Sequence, residues 1–252
     1  MARQASSLTL KGSLGNITFF KSGDTYLVRT KGGIPANKIA THPSFQRTRE
    51  NNAEFGTAAK GGMLLRKSLR SSILNAKDSR VANRLTSQMV RVLHTDTVNF
   101  RGLRNITAGD VGLLENFEFN NGAKLATTLA AQYTVSYTRA SGNIQFSIED
   151  FIPMQLLFAP AGTTHFRLVA AAATVSFGED SYEAATATSG NLVYNNTATG
   201  ALTLSMALPA NSTHPVFIVL GVEFLQKVNG DQYSLYNSAF NACCLVKVDM
   251  PA

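Results

Sequence analysis

The sequence predicts an α+β fold, mainly β: an N-terminal β-hairpin and short helices, followed by an antiparallel, jelly-roll-like β-sandwich. Three observations predict it. Apolar spacings of three and four residues are confined to the stretch between Pro43 and His94. From Leu113 onward apolar and polar residues alternate in short runs, cut by turn signals such as Asn121-Gly122 and Asn229-Gly230. The charge also reverses near residue 105: residues 1–105 hold 18 Lys and Arg against 5 Asp and Glu, residues 106–252 hold 5 against 11, giving +13 and −6. A division that large argues for parts with different tasks, the first facing something acidic.

The elements follow in order. Asn16–Lys21 and Thr25–Thr30, rich in Ile, Phe, Tyr, Val and Thr, read as a hairpin turning at Ser22-Gly23-Asp24. Ile17 and Phe19 fall on one face, Thr18 and Phe20 on the other, so a bare surface ribbon is unexpected. An isolated two-stranded hairpin is marginal and must pack on the body or on another subunit. Lys31–Ala40 reads as a Gly/Pro linker. A helix is expected from Pro43, with Phe45, Asn52, Phe55 and Ala59 near one face and Arg49 pairing with Glu50 or Glu54. Gly61-Gly62 is expected to end or kink it, and Met63–Leu74 to form a second helix. A third, capped by Asp78, runs to about His94 with Val81, Leu85, Met89 and Val92 on its apolar face. Two basic stripes accompany these helices: Arg66, Arg70 and Lys77, then Arg80, Arg84 and Arg91.

In the second half, Tyr133–Thr138 and Ile144–Glu149 flank Ser141-Gly142-Asn143 as the clearest hairpin. His165–Phe177, with small residues at 170–173, reads as a further strand, as do the alternating Leu202, Leu204, Met206 and Leu208. Val216–Lys227 and Gln232–Tyr236 flank Asn229-Gly230 as a hairpin with a type I′ turn, and Cys243–Val248 closes the chain. Many short strands with no helical period between them predict the sandwich.

Little in the composition points to chemistry. The four histidines stand apart, with none at metal-ligand spacing. Glu149-Asp150 and Glu179-Asp180 read as turn residues, and neighbours on a strand do not face a shared cleft. Gly12-x-x-Gly15 lacks the P-loop lysine and the dinucleotide fingerprint, and no G-x-S-x-G elbow occurs. Cys243 and Cys244 are expected to be reduced and largely buried, since adjacent strand residues point to opposite faces. No catalytic residue, cofactor, metal or small-molecule substrate is therefore expected. The opening residues do not form a secretory signal and the longest apolar run, Val216–Val222, is too short to span a bilayer; a cytoplasmic location without membrane insertion is the expectation, with export by an unmarked route as the alternative.

Two segments, Gly12-Ser13-Leu14-Gly15-Asn16-Ile17-Thr18-Phe19-Phe20-Lys21 leading to Val28-Arg29, and Arg47-Thr48-Arg49-Glu50-Asn51-Asn52-Ala53-Glu54-Phe55-Gly56, carry a resemblance. They are similar to a group of uncharacterised Bacteroidota proteins that open on a GNxxFxK…VR hairpin and continue into an RTREN…EFG helix. The resemblance implies no activity, cofactor or site.

The expected organisation is a hairpin arm at 1–38, a basic helical segment at 39–105 and a sandwich body at 106–252. The expected function is structural: self-association into a filament, tube or shell through the body and the arm, with Ile17, Phe19, Phe20, Tyr26 and Val28 at the subunit contact. The alternative is a nucleic-acid-binding, capsid-like protein gripping phosphates through Arg66, Arg70, Lys77, Arg80, Arg84 and Arg91.

Overall fold

The computed structural model describes residues 2–5 and 8–251. Strand outweighs helix, 34% against 27%, so the fold is α+β and mainly β. The chain divides into two compact units, Met1–Glu50 and Asn51–Ala252.

The first unit is built on a four-stranded antiparallel sheet. β1 (Ala2–Arg3), β2 (Gly12–Leu14), β3 (Ile17–Ser22) and β4 (Thr25–Thr30) lie in the order β1-β4-β3-β2. The expected hairpin is its centre, with Gly23 at φ +59° completing the turn between β3 and β4. The linker expected through Ala40 is instead partly helical: α1 spans Ala36–Thr41. Pro43 opens a short 3₁₀ turn, Pro43–Phe45, that runs into α2 (Gln46–Ser68). Arg49 fixes that corner by donating from Nη1 to the carbonyls of Ile39 (2.8 Å) and His42 (3.0 Å), not by pairing with Glu54.

In the second unit α2 runs straight through Gly61-Gly62, contrary to expectation. Both glycines are buried, and a Cβ on Gly61 would come within 2.0 Å of Ile106 Cδ1. The pair serves close packing, which offsets the weak helix propensity of glycine. The buried stripe of α2 is Glu54, Ala58, Gly61, Gly62, Leu64, Leu65 and Ser68, whereas Phe55 stands exposed. The face expected from Phe45, Asn52, Phe55 and Ala59 is thus displaced, because small residues, one carboxylate and the pair Leu64 and Leu65 carry the contact. α3 (Arg70–Ile73) follows directly, and α4 (Val81–His94) buries Val81, Leu85, Met89 and Val92 as expected. The residue before α4 is Arg80, whose N–H is accepted by Asp78 Oδ1 at 2.7 Å.

A long stretch with the short α5 (Leu125–Thr128) leads into the sheets. Asn116–Phe119 is not a regular strand but an irregular edge that exchanges backbone hydrogen bonds with Cys243 and Leu245. β5 (Tyr133–Thr138) and β6 (Asn143–Ile148) form the expected hairpin; α6 (Pro153–Leu156) follows. β7 (His165–Ser176), β8 (Ser181–Thr188), β9 (Leu192–Val193), β10 (Leu202–Ala207), β11 (Val216–Val228), β12 (Asp231–Ser234) and β13 (Ala242–Asp249) complete the chain. β10, β6 and β5 make one three-stranded sheet. β7 and β11 pair at the centre of the other, flanked by β8 and β9 on one side and by β12 and β13 on the other. The β11–β12 turn has Asn229 at φ +52° and Gly230 at +97°, as a type I′ turn requires.

The larger sheet is covered on both sides. Leu168, Ala170 and Ala172 of β7, with Ile218, Leu220 and Val222 of β11, meet Ile144, Phe146 and Ile148 of the smaller sheet. Ala171, Ala173 and Val175, with Phe217 and Val219, meet Leu65, Leu69, Leu85, Met89 and Val92 of the helices. Double burial explains why β7 and β11 read as unbroken apolar runs. It also explains the alanines: Ala170, Ala171, Ala172 and Ala173 stand opposite Leu220, Val219, Ile218 and Phe217, so small residues make room for large neighbours.

Candidate functional site

Strand register sorts the predicted contact residues of the first unit. Phe19 pairs with Val28, Lys21 with Tyr26 and Leu14 with Ile17, and paired residues share a face. Leu14, Ile17, Phe19, Tyr26 and Val28 therefore lie on one face. Phe20 lies on the other with Leu27, under the Arg29 guanidinium at 5.2 Å. No described residue from 2 to 50 is buried. Leu14 keeps 72% of its surface exposed and Ile17 38%. The β2 and β1 edges complete the sheet without barrel closure, so backbone groups remain for pairing. The ammonium groups of Lys11 and Lys21 stand 6.0 and 5.8 Å from the Tyr26 ring, adding charge beside the apolar face.

The structure separates the predicted arginines by role. Arg84 is a structural clamp: it donates to Asp78 Oδ2 (2.5 Å) and to the carbonyls of Glu118 (2.7 Å) and Phe119 (3.1 Å), and lies 5.0 Å over the Phe117 ring. Burial pushes the Asp78 carboxyl up, but the N–H groups of Asn121 and Arg80 and the Arg84 guanidinium outweigh it, and the net shift is downward. Arg91 donates to Gln88 at 3.3 Å and Arg80 is exposed. Arg66, Arg70 and Lys77 converge instead, with Lys67, on a concavity of about 230 Å³ at the α2–α3 corner.

Several polar constellations were not legible in the sequence. Asp96, buried after α4, accepts from the N–H groups of Asn105, Asn99 and Val98 and from the Asn99 side chain; the Asn105 bond contributes most, and the carboxyl is held at about 2. Glu54 accepts from Gly102 N at 2.8 Å, with Arg104 and His94 at 3.9 and 3.7 Å. Glu223 pairs across the larger sheet with Arg167 at 2.5 Å and accepts from Asn75. Arg139 joins the end of β5 to Asp249 and to the carbonyls of Ser212 and His214. Asp96 finds its partners within nine residues, but Glu54, Glu223 and Arg139 each reach partners distant in sequence, so no local spacing announces them.

The buried thiols are unsuited to nucleophilic work. Burial pushes Cys243 well above the ordinary thiol range, and burial with the Glu118 carboxylate pushes Cys244 up to about 12. Burial also raises Glu118 itself. Two clefts share Ile106, Thr107, Phe177 and Gly178, at about 440 and 290 Å³. Their ionisable groups, Lys60, Asp180, Glu179 and His214, form no hydrogen-bonded acid–base pair in the structure. Among the described residues no cluster of three His, Cys, Asp or Glu is placed to hold a metal ion, and no helix is long and apolar enough to cross a membrane.

No protein-family model matches the chain, and no curated protein is significantly similar to it. A solved structure described under "pH-induced modulation of Streptococcus parasanguinis adhesion by Fap1 fimbriae" aligns with 50% of this chain and 84% of its own, at 12% identity and a TM-score of 0.25. A likeness that slight carries no argument about fold or function.

Proposed function

We propose that this chain is a structural subunit that self-associates, its N-terminal sheet docking on a second copy. One observation carries the reading: a four-stranded sheet gathers Leu14, Ile17, Phe19, Tyr26 and Val28 on one face, while no described residue from 2 to 50 is buried. A sheet whose own unit supplies no second layer is short of the apolar burial that stabilises small units. Full burial of one such side chain contributes about 1.5–3 kcal/mol. Association costs about 4–15 kcal/mol in lost freedom. The face alone is therefore marginal, and charge decides the partner.

Charge points to the same chain. Residues 1–50 carry eight Lys and Arg against two Asp and Glu, a net of +6, whereas residues 106–252 carry −6. Glu179, Asp180 and Glu183, around the β7–β8 turn, are exposed and make no ion pair among the described residues. A cationic sheet meeting that acidic turn makes a head-to-tail contact, which propagates into a polymer unless its rotation closes a ring. The nucleic-acid alternative has less support, because the Arg84 clamp interrupts the basic track along α4.

Sedimentation of the purified full chain tests this reading. Species larger than the 27.1 kDa monomer should grow with concentration at low salt and disappear in Phe19→Glu. A monomer at every concentration and salt level would refute it.

A further inference from the structure

We propose that the concavity at the α2–α3 corner is an anion site for a short chain of linked phosphoryl groups. Arg66, Lys67, Arg70 and Lys77 line it together with Met63, Ile73 and Leu74. None of the four cations makes an ion pair or a side-chain hydrogen bond to any described residue; Lys67 has only the Tyr182 ring, at 5.9 Å. The other inward-lying arginines of this unit are held differently: Arg84 by Asp78, Arg104 by Glu54, Arg139 by Asp249 and Arg167 by Glu223. Arg66 is half-buried, and its Nε is sealed from solvent with no acceptor. Hydrogen bonding by that guanidinium falls to its terminal nitrogens.

Four like charges around one hollow repel each other, and a polyanion relieves that repulsion. The ligand class follows from charge and size. A terminal phosphoryl group carries about −1.5 to −2 at neutral pH, so two or three linked groups balance the site. The hollow, about 230 Å³, is compact enough to keep them together. Arg66 and Arg70 are separated by four residues and supply planar forks suited to phosphate oxygens. A long nucleic-acid strand fits less well, because the charge does not continue as an open track: Arg84 is clamped and Arg91 turns to Gln88.

Calorimetric titration of the full chain with inorganic tripolyphosphate tests the site. The expected result is one site per chain that weakens steeply with salt. Arg70→Gln and Lys77→Gln, both at exposed positions, should each weaken it roughly tenfold. Arg91→Gln, outside the hollow, should leave it unchanged, and thermal melts confirm that each variant folds. ATP binding as well as tripolyphosphate marks a nucleotide as a possible source; tripolyphosphate binding alone marks an inorganic one. Absence of binding at low salt, equal loss in Arg91→Gln, or binding only of a single-stranded DNA of about 20 nucleotides would each overturn the proposal.

Discussion

The two units solve the problem of a sheet in opposite ways. In residues 51–252 the central strands β7 and β11 are covered on both faces, one by helices and one by the smaller sheet. In residues 2–50 a sheet of shorter strands, six residues each in β3 and β4, has no buried residue among those described. Apolar content does not explain the difference, since β3 and β4 supply Ile17, Phe19, Phe20, Tyr26, Leu27 and Val28. What differs is the supply of a second layer within the unit. In the function proposed above, association with a second copy supplies that layer.

Substitutions in the covered sheet should have the largest effect. Phe217→Ala opens a cavity between strand and helices and should cost about 3–5 kcal/mol, measured by denaturant unfolding. Phe19→Ala should change the unfolding of the monomer far less yet reduce its association; comparable losses at both positions would break the comparison. Gly142→Ala comes next. Gly142 sits at φ +74°, and an added Cβ would approach the Leu208 carbonyl oxygen to 1.9 Å. The strained conformation and the clash with backbone should together cost about 2–4 kcal/mol.

Arg84→Ala should cost about 1.5–3 kcal/mol by removing charge-assisted bonds to Asp78 and two carbonyls. If it left stability unchanged, Arg84 would return to the set of free surface cations. The smallest effect is in pH dependence. Asp96 has its folded pKa lowered to about 2, so its stabilisation is complete above the unfolded carboxyl value of about 3.9 and is lost as pH falls through the folded value. Glu118 has the opposite sign: burial raises its pKa, so stability declines as pH rises from the unfolded value of about 4.3 towards the raised folded one. Acid titration of Asp96→Asn should flatten the first slope, and Glu118→Gln the second.

Much of the fold was legible because it follows local periods. The alternation of Ile144, Phe146 and Ile148, the Asn229-Gly230 turn and the apolar face of α4 all appear in the structure as the sequence predicts. The break expected in α2 and the unread strand β8 share a physical cause. α2 packs through Ala58, Gly61 and Gly62, and β8 (Ser-Tyr-Glu-Ala-Ala-Thr-Ala-Thr) is built largely from small residues; such residues give hydrophobic periodicity little amplitude. The site was legible only in part. The stripe of Arg66, Arg70 and Lys77 was visible, but that Arg84 belongs to Asp78 and to carbonyls over 30 residues away depends on tertiary structure.

Hydrogen exchange at two protein concentrations tests the central claim most directly. Amides of β7 and β11 should be protected at both concentrations. Those of β3 and β4 should exchange rapidly in dilute protein and slow markedly when it is concentrated. If β3 and β4 showed the same protection at both, high or low, the N-terminal sheet would not be waiting for a second copy.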